Sequence, residues 1–296
     1  MKRILTAGVA IVAVAAAAGW FLTAPKPLDE SAVSGMTGDP EAGRLAFAAG
    51  GCASCHIAPD AEASDQPVLS GGQEFASEFG IFVAPNISPD EEHGIGGWTD
   101  LQFVNAVKEG IGPDGKHLYP AFPYSSYTRA GVQDILDIEA YIRTLPASAE
   151  PNQPHELAFP FSIRRSVGGW KLLFFGDDWV VDGDLTEEQQ RGRYLVEGLG
   201  HCAECHTPRN ALGALDTSQW LAGAPNPSGQ GNIPNITPGA LDWSAADISA
   251  YLESGFTPEF DSAGGDMAHV VENMSQLPAS DRDAIAAYLK AVPAVN

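Results

Sequence analysis

The sequence predicts a mainly α fold: two tandem copies of one helical unit with long loops between the helices, preceded by an N-terminal apolar helix. Three observations carry this reading. A short motif, Cys52-Ala-Ser-Cys55-His56, returns as Cys202-Ala-Glu-Cys205-His206, and the pair uses every cysteine in the chain. The stretches that follow each motif stay in step and place apolar residues at helical spacing. An uncharged apolar run from Ile4 to Ala24 stands behind Lys2 and Arg3 at the amino terminus.

That run has the basic start and apolar centre of an export segment. Its 21 residues would cover about 30 Å as a helix, the depth of a bilayer core. Trp20 and Phe21 would lie near the outer interface, with the basic pair inside. Residues 1–24 are therefore expected to stay as an uncleaved anchor, although Ala16-Ala17-Ala18 offers small residues for cleavage. Residues 25–38 read as a tether.

The first unit is expected over residues 39–146. Asp39-Pro40-Glu41 opens a helix with a cap residue, a proline in the first turn and an acid after it. The helix runs through Arg44-Leu45-Ala46-Phe47 into Cys52. Further on, Trp98-Thr99-Asp100 opens a helix from Leu101 to Glu109. Val132 to Leu145 closes the unit, with Ile135, Leu136, Ile138, Tyr141 and Ile142 at helical spacing.

Residues 147–188 form a crossover. Phe159-Pro160-Phe161 leads into Trp170-Lys171-Leu172-Leu173-Phe174-Phe175, a stretch that either packs on its own protein or touches a partner or membrane surface. The second unit then repeats the first over residues 189–296. Gln189 to Leu199 precedes Cys202, Trp243-Ser244-Ala245 opens a helix from Asp247 to Ser254, and Asp281 to Val292 closes the unit. Pro85-Asn86-Ile87-Ser88-Pro89 is matched by Pro234-Asn235-Ile236-Thr237-Pro238. Cys52 and Cys202 are 150 positions apart and Tyr141 and Tyr288 are 147 apart, an offset that points to internal duplication.

Composition agrees with loops wrapped around a bound group. There are 32 Gly and 22 Pro in 296 residues, about 18% against roughly 12% in average chains. Acids outnumber bases 38 to 16, for a net charge of −22. This argues against nucleic acid as a partner and favours a basic one through electrostatic steering.

C-x-x-C-H is the haem c attachment signature. Two thiols add across the haem vinyl groups, and the adjacent histidine reaches the iron. Zinc sites and redox dithiols also use C-x-x-C pairs, but neither needs a histidine after both pairs nor a repeated unit behind each. Cys52, Cys55, Cys202 and Cys205 are thus assigned to two covalently bound haems c, with His56 and His206 as proximal ligands. Covalent haem attachment takes place on the outer side of the bacterial inner membrane, so the body is expected on the periplasmic side.

Each unit resembles the class I cytochrome c domain, in which the first and last helices cross and loops cover the haem. More narrowly, the chain is similar to the cytochrome c subunits of bacterial membrane-bound alcohol and gluconate dehydrogenases. The likeness rests on Pro85-Asn86-Ile87-Ser88-Pro89-Asp90, Gly94-Ile95-Gly96-Gly97-Trp98, His117-Leu118-Tyr119-Pro120-Ala121-Phe122-Pro123-Tyr124 and Cys205-His206-Thr207-Pro208-Arg209-Asn210. It covers about residues 40 to 294. Those subunits commonly carry three haems, whereas this chain has motifs for two.

The resemblance implies a methionine as sixth ligand, from the loop before the last helix. Met267, after Gly264-Gly265-Asp266, fits that place in the second unit; Met274 reads as core. In the first unit the corresponding position is Phe122, which cannot ligate. His117 and then His93 are the candidates there, with a plain loop role for His117 equally open. His155, His201 and His269 have only ordinary polar roles.

By resemblance, such a protein relays electrons from a membrane or periplasmic dehydrogenase, or a quinol-linked donor. The acceptor would be a cytochrome or oxidase further along the respiratory chain. The alternative is a dihaem redox enzyme of peroxidase or thiosulfate-oxidising type, with an open or unusually ligated first haem.

Overall fold

The computed structural model describes residues 2–62, 64–226 and 231–296, and within the first helix the side chains of residues 6, 11 and 13–22 only. Helix α1 spans Lys2–Leu22, so the expected apolar helix forms. The expected anchor does not follow from it. Among the described residues no helix is long and apolar enough to cross a membrane. The described part of α1 is dominated by small alanines, and its end is held by the body. The Arg165 guanidinium lies 4.3 Å from the centre of the Trp20 ring and also bonds the Trp20 carbonyl.

The stretch after α1 is likewise less free than a tether. Its backbone docks where the Leu28 amide donates to Asn105 Oδ1 at 2.7 Å. Gly38 lies so close to the Leu136 carbonyl that a Cβ would meet it at 2.2 Å.

Two helix crossings organise the rest. Helix α2 (Pro40–Ala49) is capped by Asp39, whose side chain accepts from the Glu41 amide, and it carries proline in its first turn. It crosses α6 (Val132–Ile142) at Gly43, where a Cβ would stand 1.8 Å from the Asp137 carbonyl oxygen and 3.0 Å from the Tyr141 side chain. Only glycine lets the two backbones approach this far. Helix α8 (Glu187–Arg193) crosses α12 (Ala279–Leu289) in the same way at Gly192, with the Ala284 carbonyl oxygen 1.9 Å from a Cβ and Tyr288 beside it. The duplicated tyrosines thus sit at duplicated crossings.

Between each pair lie a short motif helix, α3 (Cys52–His56) or α9 (Ala203–His206), and a middle helix, α4 (Asp100–Glu109) or α10 (Ala245–Ser254). Thr99 and Ser244 start the middle helices with reciprocal capping boxes to Gln102 and Asp247. Such a cap contributes about 1 kcal/mol. Buried residues of both halves, from Phe47 to Tyr288, join in one apolar cluster.

Three features depart from the sequence expectation. The long loop after α3 contains a hairpin of β1 (Glu74–Ser77) and β2 (Gly80–Val83), and the crossover adds β3 (Glu156–Leu157) antiparallel to β2. In the crossover, Ser166–Phe174 forms helix α7. Met267, expected in a loop, lies in the first turn of α11 (Asp266–Met274), whose counterpart in the first half is the single turn α5 (Tyr124–Tyr127).

Candidate functional site

Each motif begins at a left-handed turn. In the first half Gly51 takes it at φ 60°. In the second half the same place is held by His201 at φ 39°, after a π-helical stretch, Tyr194–Leu199. The four cysteines are unpaired thiols. Burial pushes the thiols of Cys52 and Cys202, before any attachment, up to about 12 and that of Cys55 up to about 11. Among the described residues no group of three or more His, Cys, Asp or Glu side chains could hold a metal ion.

The two histidines are held alike. His56 Nδ1 lies 2.8 Å from the Pro85 carbonyl oxygen, and His206 Nδ1 lies 2.8 Å from that of Pro234. Burial lowers the pKa of both rings and keeps them neutral. A neutral imidazole whose Nδ1–H is spent on a carbonyl keeps its Nε2 lone pair free, the tautomer and orientation a metal ligand needs. The residues therefore fit haem c: two thiols and one oriented imidazole in each motif.

The repeated Pro-Asn-Ile-Ser/Thr-Pro loop is what holds those carbonyls in place. Asn86 Oδ1 accepts from the Ser88 amide, and Asn86 Nδ2 donates to the carbonyls of Ser148 and Glu150 at 2.8 Å each. Asn235 repeats this with the Thr237 amide and the Val295 carbonyl, both at 2.8 Å. Each asparagine thus ties the proximal loop to the tail behind the last helix. The loop's apparent sequence signature is a hydrogen-bonding device.

The two motifs also touch across the halves, which sequence reasoning missed. Ser54, inside the first C-x-x-C, accepts from Asn273 Nδ2 of α11 at 2.8 Å. Glu204, at the same place in the second motif, accepts from Ser126 Oγ of α5 at 3.1 Å. The contact is reciprocal: the same motif position in each half reaches the same region of the other. His201 completes it, with Nε2 3.2 Å from the Gly50 carbonyl oxygen and its ring edge-on to Tyr127 at 5.4 Å. Tyr127 in turn donates to the Gly50 carbonyl at 2.7 Å. The ordinary polar role expected for His201 is a bridge between the motifs.

The candidates for sixth ligand fall in unlike surroundings. Isolated bridges pair Ile111 with His117 and Phe256 with Ser262, and each is followed five residues later by Phe122 or Met267. This register puts the two at corresponding places. Phe122 stacks near Tyr124 and Tyr127, at 6.4 and 5.6 Å, while Met267 is half-buried against the core. Met274 is buried, 5% exposed, in the core.

His117 is buried and turned to the end of the N-terminal helix: its Nε2 lies 2.9 Å from the Thr23 carbonyl oxygen, and a Cβ at Gly168 would meet the same nitrogen at 2.8 Å. Its Nδ1 is enclosed without a hydrogen-bond partner. His93 lies in the Asp90 turn, its amide donating to Asp90 Oδ1 at 2.7 Å. His155 accepts from the Val83 amide, and His269 is exposed beside Glu272.

A comparison with known families agrees with this geometry. Residues 40–146 match the Cytochrome c family, the span of the first unit. Over all 296 residues the chain is 59% identical to a protein of Cereibacter sphaeroides described as "Diheme cytochrome c-type", and covers all of it. It is 43% identical over 259 residues to the fructose dehydrogenase cytochrome subunit of Gluconobacter japonicus, covering 84% of this chain and 51% of that one. It is 37% identical over 257 residues to the cytochrome c subunit of the quinone alcohol dehydrogenase of Gluconobacter oxydans, covering 82% and 52%. The chain spans about half the length of these two subunits. Two covalently bound haems c are its cofactors.

Proposed function

Since this chain belongs to the dihaem cytochromes c, we propose that it relays electrons from a dehydrogenase to a downstream acceptor of the respiratory chain. Haem iron supplies the one-electron chemistry. The protein's residues orient His56 and His206 through Pro85 and Pro234, and enclose the attachment thiols. The observation that carries the relay reading is the reciprocal junction. Ser54 with Asn273, Glu204 with Ser126, and His201 with Gly50 hold the two attachment motifs against each other. A body built so that its two sites are neighbours suits passage between them.

In this reading both halves are class I cytochrome c domains, over residues 39–146 and 189–296, joined by the crossover 147–188. Residues 1–24 direct export, and the body works on the periplasmic side of the bacterial inner membrane. The cytochrome subunits named above supply the analogy for a dehydrogenase as donor. The acidic surface of the chain favours a basic acceptor. Met267 is the proposed sixth ligand of the second iron.

A second reading, a redox enzyme of peroxidase or thiosulfate-oxidising type, draws on Phe122. A phenyl ring cannot ligate, and of the remaining candidates the Nε2 of His117 is taken by the Thr23 carbonyl, while His93 is fixed in its turn through its backbone. The test adds less than one equivalent of reductant to the oxidised protein in a stopped-flow cell. The relay reading expects the electron to redistribute between two spectrally distinct haems at a rate independent of protein concentration. A rate proportional to concentration, or turnover of peroxide or thiosulfate by the first haem, would replace it.

A further inference from the structure

The crossover carries a surface that the relay does not use. Residues 159–175 hold three bases (Arg164, Arg165, Lys171) and no acid, in a chain with 38 acids and 16 bases. The same segment exposes large apolar side chains, among them Phe159 at 81%, Leu172 at 52% and Leu173 at 70%. Among the described residues, half of the exposed large apolar side chains elsewhere belong to α1, and α1 ends against this segment. Arg165 bonds the Trp20 carbonyl and Thr23 Oγ1, and Gly168 of α7 lies against the Thr23 carbonyl, which a Cβ would meet at 2.2 Å. Trp20 and Phe21, 63% and 76% exposed, extend the apolar face.

Beside it opens a cavity of about 220 Å³, lined by Trp20, Pro25, Lys116, His117, Arg164 and Arg165. Lys116 is paired with Asp114 at 2.7 Å, while Arg164 stacks 4.6 Å from the centre of the Tyr119 ring and donates to the His117 carbonyl.

We propose that residues 159–175, with the end of α1 they hold, form a membrane-surface element that seats on anionic phospholipid. The occupant is chosen by chemistry. Lys171 is turned inward onto the Glu109 and Gly110 carbonyls, and Asp177 and Asp178 lie just past the segment. The face proper is therefore apolar side chains beside Arg164 and Arg165, a pairing that matches the boundary between acyl chains and phosphate headgroups. The rest of so acidic a chain is repelled by that surface, so contact is confined to this face. Aromatic side chains beside arginine are the pairing such interfaces favour. No helix need cross the bilayer: α7 is nine residues long and would lie in the interface plane.

The test measures hydrogen exchange of the full-length haem-loaded protein alone, with phosphatidylcholine vesicles, and with vesicles mixing phosphatidylglycerol into phosphatidylcholine. Protection of residues 159–175 with the mixed vesicles, weakened by salt, is expected. The double variant Leu172→Ser/Leu173→Ser replaces exposed side chains and should fold. It should weaken partition onto the mixed vesicles roughly tenfold or more, with both haem spectra unchanged. Equal protection by pure phosphatidylcholine, protection of α1 alone, or partition unaffected by the double variant would overturn the proposal. So would protection of this segment by a dehydrogenase subunit and not by vesicles, since the face would then be a protein interface.

Discussion

The two halves agree wherever they hold a proximal histidine and differ wherever the opposite ligand should stand. Glycine crossings, Pro-Asn loops and capped middle helices are shared down to individual hydrogen bonds: the Gly71 amide donates to the His56 carbonyl and the Gly223 amide to the His206 carbonyl, both at 2.7 Å. The distal elements diverge. The second half has a nine-residue α11 beginning at Asp266-Met267, and the first has the single turn α5 with Phe122 ahead of it. On the proposed reading, the parts that would fix a haem are alike in the two halves and the parts that would tune it are not. Unlike axial ligands are a direct way to make two like sites differ in potential.

The largest expected effect tests the shared part. Gly43→Ala and Gly192→Ala each drive a methyl group to within 1.8 or 1.9 Å of a backbone carbonyl oxygen. Neither backbone can yield without opening its helix crossing. Each substitution should cost about 3 kcal/mol or more, measured by denaturant unfolding of the haem-loaded protein. Similar costs in the two halves would confirm that the crossings are equivalent. A tolerated alanine at either site would break the comparison there.

Much of the proximal architecture was legible because it is written locally. A C-x-x-C-H motif, a Pro-Asn-Ile-Ser/Thr-Pro loop and a capped helix each declare themselves within a few residues. The role of Asn86 was not legible, because its partners, Ser148 and Glu150, lie 62 and 64 residues away. The junction was invisible for the same reason: Ser54 and Asn273 are separated by 219 positions. His201 was passed over because its φ of 39° and its bond to Gly50 arise only once the halves meet. The β1–β2 hairpin was also missed: all four β1 residues are exposed, so the strand lacks the alternation that marks a half-buried strand. Met267 was read as a loop residue because Gly264-Gly265 precede it, and the helix starts immediately after them.

The distal difference is sharpened by exchanging it. Met267→Ala should abolish a thioether–iron(III) charge-transfer band and lower one midpoint potential by roughly 100 mV or more, within the about 0.8 V that axial ligation spans. The other potential should stay, since distant sites are nearly additive. Phe122→Met places a thioether at the corresponding position of the first half, and should add a second such band and raise the lower potential. Spectroelectrochemical titration of both variants checks this. A band that survives Met267→Ala, or equal shifts of both potentials by that substitution, would remove Met267 from the second iron.

The smallest effect concerns what joins the halves. The Ser54–Asn273 and Ser126–Glu204 contacts occupy equivalent places, but the second involves a carboxylate that Arg209 also holds. Two double-mutant cycles separate them: Ser54→Ala with Asn273→Ala, and Ser126→Ala with Glu204→Ala. Coupling of about 0.5–1.5 kcal/mol is expected in the first, as for a neutral part-buried hydrogen bond. The second should be at the upper end of that range, because a carboxylate acceptor strengthens the bond. Unfolding followed at a haem band of each half adds a second readout. Wild type should unfold in one transition, because the buried core runs through both halves. Coupling below about 0.3 kcal/mol in both cycles, which is within ordinary non-additivity, would mean that the motifs lie together without holding each other. The apolar cluster and Tyr194, whose hydroxyl accepts from the Gly131 amide at 3.0 Å and donates to Asp134, would then carry the union of the halves.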